Sequence, residues 1–280
     1  MSVVAELLRH PLKSAQAEDL QQAEVQAGGL RGDRRWACVD AGDGTLGSAK
    51  HPQRWGALLQ VGVRTEERAG EHACVLDVAG REVLAGTRTA DEALSGVLGR
   101  DVRLTRVVPE RPRLHRRLPD EAGLVPDWLA GVDPGQEMVT PVAGARPQGD
   151  RFLDFGALHL VTTGALTALA GHLGRAGVDA RPFRPNLVLD APGDPSPGQV
   201  LRLGELVLRV LLPTSRCVVP GLGPDGRVDR ELLAALGRHH RVQVGDHGRA
   251  ACFGVYAEVL RPGRVEVGQR VDEVDGWPGR

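Results

Sequence analysis

Cys217 is the residue whose type and setting are best suited to chemistry. It lies between Pro213 and Pro220, just beyond a hydrophobic run, so the prolines favour a loop position for the thiol. The neighbouring Arg216 favours the thiolate, the form of cysteine that ligates soft metals or attacks electrophiles. A small buried hydrophobe is the alternative interpretation of a lone cysteine. We assign that alternative to the cysteines in strand-like runs, which are Cys38, Cys74 and Cys252.

Two other places favour anion binding. Residues 181–186 read Arg-Pro-Phe-Arg-Pro-Asn, in which the arginine forks suit a phosphate and Asn186 offers a donor and an acceptor. Solvated surface arginines are the alternative there. Thr162 and Thr163 stand at a predicted strand-to-helix junction, where hydroxyls and free backbone N–H groups form an anion site. Simple N-capping by Thr163 explains this pair equally well.

Several kinds of site have no support in the sequence. The four cysteines lie tens of residues apart without a C-x-x-C pair, which disfavours a zinc ribbon, a thioredoxin motif or an iron–sulfur loop. The nine histidines are scattered and form no zinc-ligand spacing. The glycine pairs lack the spacing of either nucleotide-binding loop.

Composition and charge limit the partners. The chain has 280 residues, enough for one large domain or two modest ones. Its 35 basic and 36 acidic residues give a net charge of −1 without charged blocks, so we expect no nucleic acid and no anionic membrane as partner. The most hydrophobic stretch, 200–213, is interrupted by charges, and the first nine residues contain Glu6 and Arg9. We therefore expect neither a membrane span nor an export signal, and a cytoplasmic location.

Short strands must position these residues. In the first hundred residues, β-branched or alternating runs are separated by glycine turns, which predicts a barrel or sandwich. One helix, with Thr89 as its N-cap and Gly99 as its stop, lies among them. The predicted strands of this half are 3–9, 34–40, 58–65, 73–78 and 102–108.

The periodicity disappears between residues 109 and 147, where prolines recur, and this predicts a connecting region. Beyond it, a strand at 158–162 leads into a helix that Thr163 caps and that runs through Leu173. The remaining predictions are strands at 186–190, 199–203, 205–212, 252–260 and 264–271 and a helix at 231–240. The fold class is mostly β, of the α+β kind, with a few short helices.

Seven short motifs, taken in order, resemble one family. The motifs are HPLKS at 10–14, GLRGDRRW at 29–36, FLDF at 152–155, HLVTT at 159–163, RPNL at 184–187, RCVVP at 216–220 and FGVYA at 253–257. This series resembles the MOSC proteins, named for the C-terminal domain of molybdenum cofactor sulfurases. The resemblance is to members with an N-terminal β-barrel segment, among them the amidoxime-reducing proteins and bacterial relatives. It implies a MOSC-type barrel and three regions, 1–110 (N-terminal β-barrel segment), 111–147 (Pro-rich connecting region) and 148–275 (MOSC domain).

The resemblance also implies a cofactor. It identifies Cys217 as the thiolate ligand of molybdenum in the molybdenum cofactor, a pterin that carries a phosphate. The residues implied to bind the pterin and phosphate are Lys13, Ser14, Arg34, Thr162, Thr163, Arg184, Asn186, Ser215 and Arg216. Because Lys13 and Cys217 are far apart in sequence, the pocket must lie between the two halves. We expect no pyridoxal-phosphate domain and no iron–sulfur centre.

The function implied is an oxidoreductase that reduces small N-hydroxylated or related N–O compounds by two electrons, which an external electron-donor protein supplies. A carrier that holds the cofactor or sulfur on Cys217 without multiple turnover is the alternative. A third is a MOSC-shaped protein that has lost the cofactor. Two departures from the family pattern support this third hypothesis, Ala15-Gln16-Ala17 after Lys13-Ser14 and Gly164-Ala165 after the two threonines.

Overall fold

Strands dominate the computed structural model, which describes residues 2–68, 71–142, 151–223 and 227–277. The strands are β1 Ser2–Arg9, β2 Glu18–Leu20, β3 Gln22–Gln26, β4 Gly29–Leu30, β5 Ala37–Asp40, β6 Gly62–Arg68, β7 Glu71–Val78, β8 Arg81–Leu84, β9 Val102–Thr105, β10 Arg113–Arg117, β11 Glu137–Pro141, β12 Leu158–Thr162, β13 Leu187–Asp190, β14 Val200–Leu203, β15 Leu206–Ser215, β16 Arg241–Gln243, β17 Arg249–Arg261, β18 Gly263–Glu266 and β19 Arg270–Glu273. The helices are α1 Pro52–Trp55, α2 Arg88–Leu98, α3 Thr163–Leu173 and α4 Arg230–His239. The predicted fold class, mostly β with a few short helices, is confirmed.

A closed barrel forms the centre of the molecule. Its strands follow the order β12, β13, β1, β19, β14, β15 and β17, and β17 pairs back to β12. The β12–β13 pair is parallel and the others are antiparallel. Alternate side chains of these strands fill one core with leucine and valine, including Leu7, Leu160 and Leu208. Closure leaves these strands without a free edge.

The first strand of the chain belongs to this barrel, although most of the barrel comes from residues beyond 157. In β1, Leu7 pairs with Leu187 of β13, and Val3 pairs with both Asp190 and Arg270. The chain leaves β1 at Arg9 and enters the N-terminal half, so that half is tied to the barrel by its own start. The region boundaries at 110 and 148 stay a prediction.

The N-terminal half has its own core. The three-stranded sheet β6–β7–β8 and the pair β5–β9 enclose it with α2, around fully buried Trp55, Leu76 and Leu94. Helix α2 ends at Gly99 in the left-handed conformation, as predicted, but Thr87 and not Thr89 is its N-cap, accepting from the Ala90 N–H. The helix therefore begins earlier because Thr87 keeps the extended backbone that a cap requires.

The predicted connecting region contains secondary structure that its prolines conceal. β10 and β11 form an antiparallel hairpin in which His115 pairs with Val139. Between these strands lie two short 3₁₀ turns, Ala122–Leu124 and Asp127–Leu129. Residues 143–150, where this region was expected to end and the MOSC domain to begin, lie outside the described residues.

Several predicted strands differ from the structure in their end points, and two differ in more than that. The predicted strand 58–65 begins with a 3₁₀ turn, Gly56–Gln60, and the extended backbone starts at Gly62. The predicted strand 264–271 is two strands, because the chain turns at Gly268, where φ is 83°. β18 then joins β3 and β4 in a small separate sheet, while β19 enters the barrel.

Helices α3 and α4 pack on the barrel around Leu169, Leu233 and Phe253. α3 ends in a left-handed glycine, Gly174. Among the described residues, no helix has the length and apolar composition needed to cross a bilayer.

Gly254 offers a test of barrel closure. It lies in β17 with φ of 74°, and an added Cβ would stand 2.4 Å from the Leu160 carbonyl oxygen on β12. We expect Gly254→Ala to lower the free energy of unfolding by about 2 to 4 kcal/mol, because both backbone strain and overlap oppose it. Gly171→Ala in α3, where a Cβ meets nothing within 4 Å, is the matched control. It should raise that free energy by about 0.5 to 1 kcal/mol. Urea unfolding measures the free energy of unfolding of both variants. Equal effects at the two positions would contradict the close pairing of β12 with β17 that closes the barrel.

Candidate functional site

A cavity of about 460 Å³ is lined by residues from both halves of the chain. Its basic lining residues are Lys13, Arg34, Lys50, Arg116, Arg117, Arg184 and Arg216. Its apolar lining includes Leu118, Pro119, Leu124, Pro126, Leu129, Leu153, Leu212, Val219 and Val244. Cys217, Ser14, Asn186 and Ser215, all named from the sequence, line it as well. Eight of the ten sequence-derived site residues therefore meet at one cavity.

Cys217 stands on a loop, just after β15 ends at Ser215 and before the 3₁₀ turn Val219–Gly221. The Arg216 N–H donates to the Ala251 carbonyl at 2.8 Å, which ties this loop to β17. Cys217 is a free, half-buried cysteine.

The other three cysteines are buried and lie outside the cavity lining. Burial raises the pKa of Cys38, Cys74 and Cys252 to about 12, so they remain thiols. Their position in the hydrophobic clusters agrees with the small-hydrophobe interpretation.

The charge of the cavity lining is strongly unbalanced. Within the described ranges, Asp154 is the one carboxylate of the lining, and it binds Lys13 Nζ at 2.7 Å and Lys50 Nζ at 3.1 Å. Burial opposes the charge on Asp154, but the two ammonium groups hold its pKa well below the ordinary value. Burial lowers the pKa of Lys13, and Asp154 acts against that shift. The carboxylate therefore offsets the charge of the two lysines, and it forms no ion pair with the arginines of the described lining.

Arg34 and Arg184 are linked by a hydrogen bond and both line the cavity. Arg34 Nη1 donates to Asp33, and Arg34 Nη2 donates to the Arg184 carbonyl at 3.1 Å. Arg184 Nη1 donates to the Ala15 carbonyl at 2.5 Å, whereas Arg184 Nη2 is buried and has no hydrogen-bond partner among the residues that the structure describes. Burial, followed by the charge of Arg34, lowers the pKa of Arg184 to about 9. An anion that enters the cavity would stabilise the charged form of this guanidinium by a charge-assisted hydrogen bond.

Arg216 presents a second unpartnered group. Its Nη2 donates to the Phe183 carbonyl at 3.0 Å, but its Nε is buried and has no partner in the described part of the chain. These two buried guanidinium nitrogens can donate to an anionic group, and the half-buried thiol can bind a soft metal. Together they suit a ligand that carries both. The residues present therefore suit the cofactor that the family resemblance implies.

Backbone strain is concentrated at the same place. Among the described residues, the non-glycine positions with positive φ are Ser14, Arg34, Ala79 and Arg184. Three of these four line the cavity. Strained backbone of this kind persists where the surrounding structure holds it, and it is concentrated at functional sites.

Asn186 lines the cavity but is engaged within the barrel. Its Oδ1 accepts from the His159 N–H at 3.2 Å, and its Nδ2 donates to the Leu8 carbonyl at 3.3 Å. This amide links β1 and β12, and its Oδ1 also accepts from Arg34 Nη1 at 3.4 Å. Asn186 therefore supports the site from the barrel side.

Thr162 and Thr163 are not brought to the cavity. Thr162 is the N-cap of α3, and its hydroxyl donates to Asp194 at 2.8 Å. The Thr163 hydroxyl donates to Asp190 at 2.9 Å, and Asp190 ends β13. Both hydroxyls thus donate to carboxylates, while the Ala165 N–H donates to the Thr162 hydroxyl and the Gly164 N–H to the Ala191 carbonyl. The sequence suggested Thr163 as the N-cap of this helix, but the structure shows that Thr162 is the N-cap.

Most of the other cavity residues were not named from the sequence as site residues, and four with polar or aromatic side chains are Trp128, Asp154, His159 and Tyr256. Asp154, His159 and Tyr256 lie inside the motifs FLDF, HLVTT and FGVYA. Those motifs could therefore have identified these three residues as candidate site residues. Trp128 lies in the region without periodicity, and no local pattern marks it. Among the described residues, no group of three or more His, Cys, Asp or Glu side chains could hold a metal ion by itself.

Comparison with known families identifies the two halves. The model of the MOSC N-terminal beta barrel domain matches residues 1–87, and that of the MOSC domain matches residues 149–272. The chain belongs to the MOSC-domain proteins.

One curated protein and two solved structures are among those similar to this chain. The human protein named mitochondrial amidoxime-reducing component 1 is 24% identical over 305 residues, covering 97% of this chain and 82% of its own length. The solved structure of the YUAD protein from Bacillus subtilis covers 98% of this chain and 96% of its own at 14% identity, with a TM-score of 0.45. YiiM from Geobacillus stearothermophilus covers 43% of this chain and 55% of its own at 18% identity, with a TM-score of 0.33.

His159 makes the free energy of unfolding of the protein sensitive to acid. Burial, followed by the charge of Arg216, lowers its pKa to about 3, so the folded protein keeps this ring neutral. The unfolded chain protonates it near pH 6.5, and the free energy of unfolding therefore falls as the pH drops from that value towards 3. Between pH 7 and pH 5 we expect His159 to account for a loss of about 2 kcal/mol. Urea unfolding of His159→Gln should show a shallower pH dependence by that amount, and an unchanged slope would contradict a neutral buried ring.

Proposed function

We propose that this protein binds the molybdenum cofactor and reduces N-hydroxylated or related N–O compounds by two electrons. The observation that carries the proposal is the free, half-buried thiol of Cys217 at a cavity that also holds unpartnered guanidinium nitrogens of Arg184 and Arg216. The name of the human relative, an amidoxime-reducing component, supports the choice of N–O compounds.

In this proposal Cys217 is the protein ligand of molybdenum. A thiolate is a soft ligand, and soft sulfur ligands suit this metal better than a hydroxyl or a carboxylate does. The tie between Arg216 and β17 fixes the direction of the loop, and thus where the thiolate is presented. When bound, the cofactor supplies two-electron redox chemistry at its metal.

The cations of the cavity hold the anionic part of the cofactor. Arg184 and Arg216 offer donors without partners, and Arg34 lies beside Arg184. Lys13 reaches the same cavity, where Asp154 fixes its position. Ser14 and Ser215 add hydroxyl groups to this lining. Thr162 and Thr163 have no part in the proposal, because their hydroxyls are engaged outside the cavity.

The reaction consumes two electrons and two protons and converts an N–OH group into N–H and water. We assign electron delivery to an external donor protein. His159 does not take part as a proton donor at neutral pH, because its depressed pKa keeps the ring neutral.

Cys217→Ser tests the metal-ligand assignment. The hydroxyl is similar in size but is a hard, neutral ligand, so activity per molybdenum should be abolished while the fold stays nearly intact. Protein from a cofactor-competent host is assayed for molybdenum, for pterin, and for turnover of an amidoxime with an artificial electron donor. Cys252→Ala is the matched control, because Cys252 pairs with Ser215 in the strand register yet lies outside the cavity lining.

Three outcomes of this assay have distinct meanings. Full activity per molybdenum in Cys217→Ser would return Cys217 to a structural role. Molybdenum in the wild-type protein without multiple turnovers would favour a carrier. Absence of molybdenum from the wild-type protein would refute the proposal and favour a MOSC-shaped protein that has lost the cofactor.

Arg184→Ala should separate cofactor retention from chemistry. Removing one guanidinium from a site with other donors should weaken retention by about 1.5 to 3 kcal/mol, the worth of a hydrogen bond to a charged group. Residual activity should then follow residual cofactor. Arg181→Ala is the matched control, since Arg181 lies in the same turn but binds Asp19 away from the cavity. A loss of activity per bound cofactor in Arg184→Ala would contradict a purely retaining role.

A further inference from the structure

Two buried polar side chains, Asp33 and His10, have no part in the proposed function. Asp33 is 0% exposed and His10 is 1% exposed, and both lie outside the described cavity lining. Burying a carboxylate or an imidazole is costly unless its polar atoms are paired. The partners of these two side chains therefore indicate what the fold gains from burying them.

Asp33 joins His10 to Arg34. Its Oδ1 accepts from the His10 N–H at 2.7 Å, and its Oδ2 accepts from Arg34 Nη1. The Arg34 N–H donates to the His10 carbonyl at 2.7 Å. Arg34 Nη2 donates to the Arg184 carbonyl at 3.1 Å. Because a charge-assisted pair with a buried carboxylate restricts the guanidinium, Asp33 helps to determine which edge of Arg34 faces Arg184.

His10 holds the next residue of the same turn. Its Nε2 lies 3.0 Å from the Pro185 carbonyl, and because a carbonyl only accepts, this nitrogen donates. Burial, followed by the charges of Arg184 and Arg34, lowers the pKa of His10 well below its ordinary value, so the ring remains neutral. Arg34 and His10 thus bind the carbonyl groups of two successive residues, Arg184 and Pro185.

These bonds hold backbone that is strained. Arg34 has a φ of 50° and Arg184 has a φ of 60°, in the left-handed region that non-glycine residues rarely adopt. Such backbone persists only where neighbouring groups hold it. In this conformation Arg184 lines the cavity, and its Nη2 has no hydrogen-bond partner among the described residues. The strained turn therefore leaves one guanidinium nitrogen of a cavity residue for a ligand.

We propose that Asp33 and His10 are positioning residues, which hold Arg34 and Arg184 in the arrangement that binds a tetrahedral dianion in the cavity. They contact the arginines and their turn from outside the lining, so they act through these groups and not on the ligand. This inference rests on the proposed function only for the identity of the dianion, which is then the phosphate group of the cofactor.

Orientation and charge predict opposite effects when Asp33 is neutralised. The carboxylate repels an anion bound at Arg184, so a purely electrostatic role means that its removal strengthens anion binding. Loss of the ion pair releases the Arg34 guanidinium, so a positioning role means that its removal weakens anion binding. The sign of the change in affinity therefore separates the two roles.

Sulfate titration of the cofactor-free chain measures that sign. The full chain, from a host that cannot make the cofactor, is titrated calorimetrically with sodium sulfate at constant ionic strength. Sulfate has the tetrahedral shape of a phosphate group and remains a dianion at pH 6. Burial, followed by the charge of Arg34, lowers the pKa of Arg184 to about 9, and Asp33 acts against that shift. The titration is made at pH 6, so that Arg184 stays charged when Asp33 is replaced.

Asp33→Asn keeps the size of the side chain and removes its charge. We expect it to weaken sulfate binding at least about 5-fold, because the Arg34 guanidinium loses its buried partner. An unchanged or tighter affinity would overturn the positioning role of Asp33.

His10 allows a test without any change of charge. His10→Phe keeps a ring but removes the donor to the Pro185 carbonyl, and should weaken sulfate binding about 3- to 10-fold. His10→Gln provides an amide donor in place of Nε2, and should restore most of the affinity. Wild-type affinity in His10→Phe, or equal losses in the two variants, would refute the role of His10.

Glu18→Gln is the matched control for Asp33→Asn. The Glu18 carboxylate binds Arg9 at 2.9 and 3.0 Å, the two side chains are 11% and 12% exposed, and both lie outside the described cavity lining. This variant should lower the free energy of unfolding in urea, as Asp33→Asn does, yet bind sulfate like the wild-type protein. A similar loss of sulfate binding in Glu18→Gln would show that any lost ion pair has this effect, and would contradict the proposal.

Arg184→Ala shows where sulfate binds. It should weaken binding at least about 10-fold, because it removes the guanidinium that the turn presents. Unchanged sulfate binding in Arg184→Ala, or no binding by the wild-type chain, would overturn the proposal, since the arginines held by Asp33 and His10 would not form the anion site.

Molybdenum is measured on the same variants from a cofactor-competent host, so that the two proposals fail separately. Sulfate binding that requires Asp33, in a wild-type protein that contains no molybdenum, refutes the proposed function alone. Molybdenum in the wild-type protein, with sulfate binding unchanged in both Asp33→Asn and His10→Phe, refutes the positioning role alone.

Discussion

Insertion of β1 into the barrel is the constraint on which the site depends. This strand occupies the place between β13 and β19, so the barrel closes only with the first residues of the chain. Once β1 is fixed, Lys13 and Ser14 follow directly at the cavity, while β15 ends beside it and leads to Cys217. Residues at opposite ends of the sequence therefore meet because one strand is shared, and no flexible docking between separate domains is needed.

Electrostatics then determines what the cavity can hold. Burying cations is unfavourable unless they are paired, and among the residues that the structure describes Asp154 forms ion pairs with Lys13 and Lys50 only. The charge on Arg184 is especially unfavourable, because both burial and the neighbouring charge of Arg34 oppose it. The left-handed backbone at Ser14, Arg34 and Arg184 adds a further cost at the same place. A protein that keeps strain and unpaired cations together gains stability when an anion binds there.

Sequence patterns predicted the local features well. The prolines around Cys217 indicated its loop, and the run at 158–162 matches β12 residue for residue. Thr162 and Thr163 were harder, because a cap and an anion site use the same hydroxyls at a helix start. Only the carboxylates of Asp190 and Asp194, which come from elsewhere in the chain, decide between them. The hairpin of β10 and β11 was missed because arginines and prolines conceal its alternation. Trp128 was missed because its position depends on contacts with Arg241 and α4.

The state of Cys217 in the loaded protein decides the central claim. X-ray absorption at the molybdenum edge counts the sulfur atoms bound to the metal, in the wild-type protein and in Cys217→Ser. If the loop thiolate is the protein ligand, the variant has one sulfur neighbour fewer at molybdenum than the wild-type protein. An identical sulfur shell in both proteins would show that Cys217 does not bind the metal, and would contradict the assignment of the cavity on which the proposed function rests.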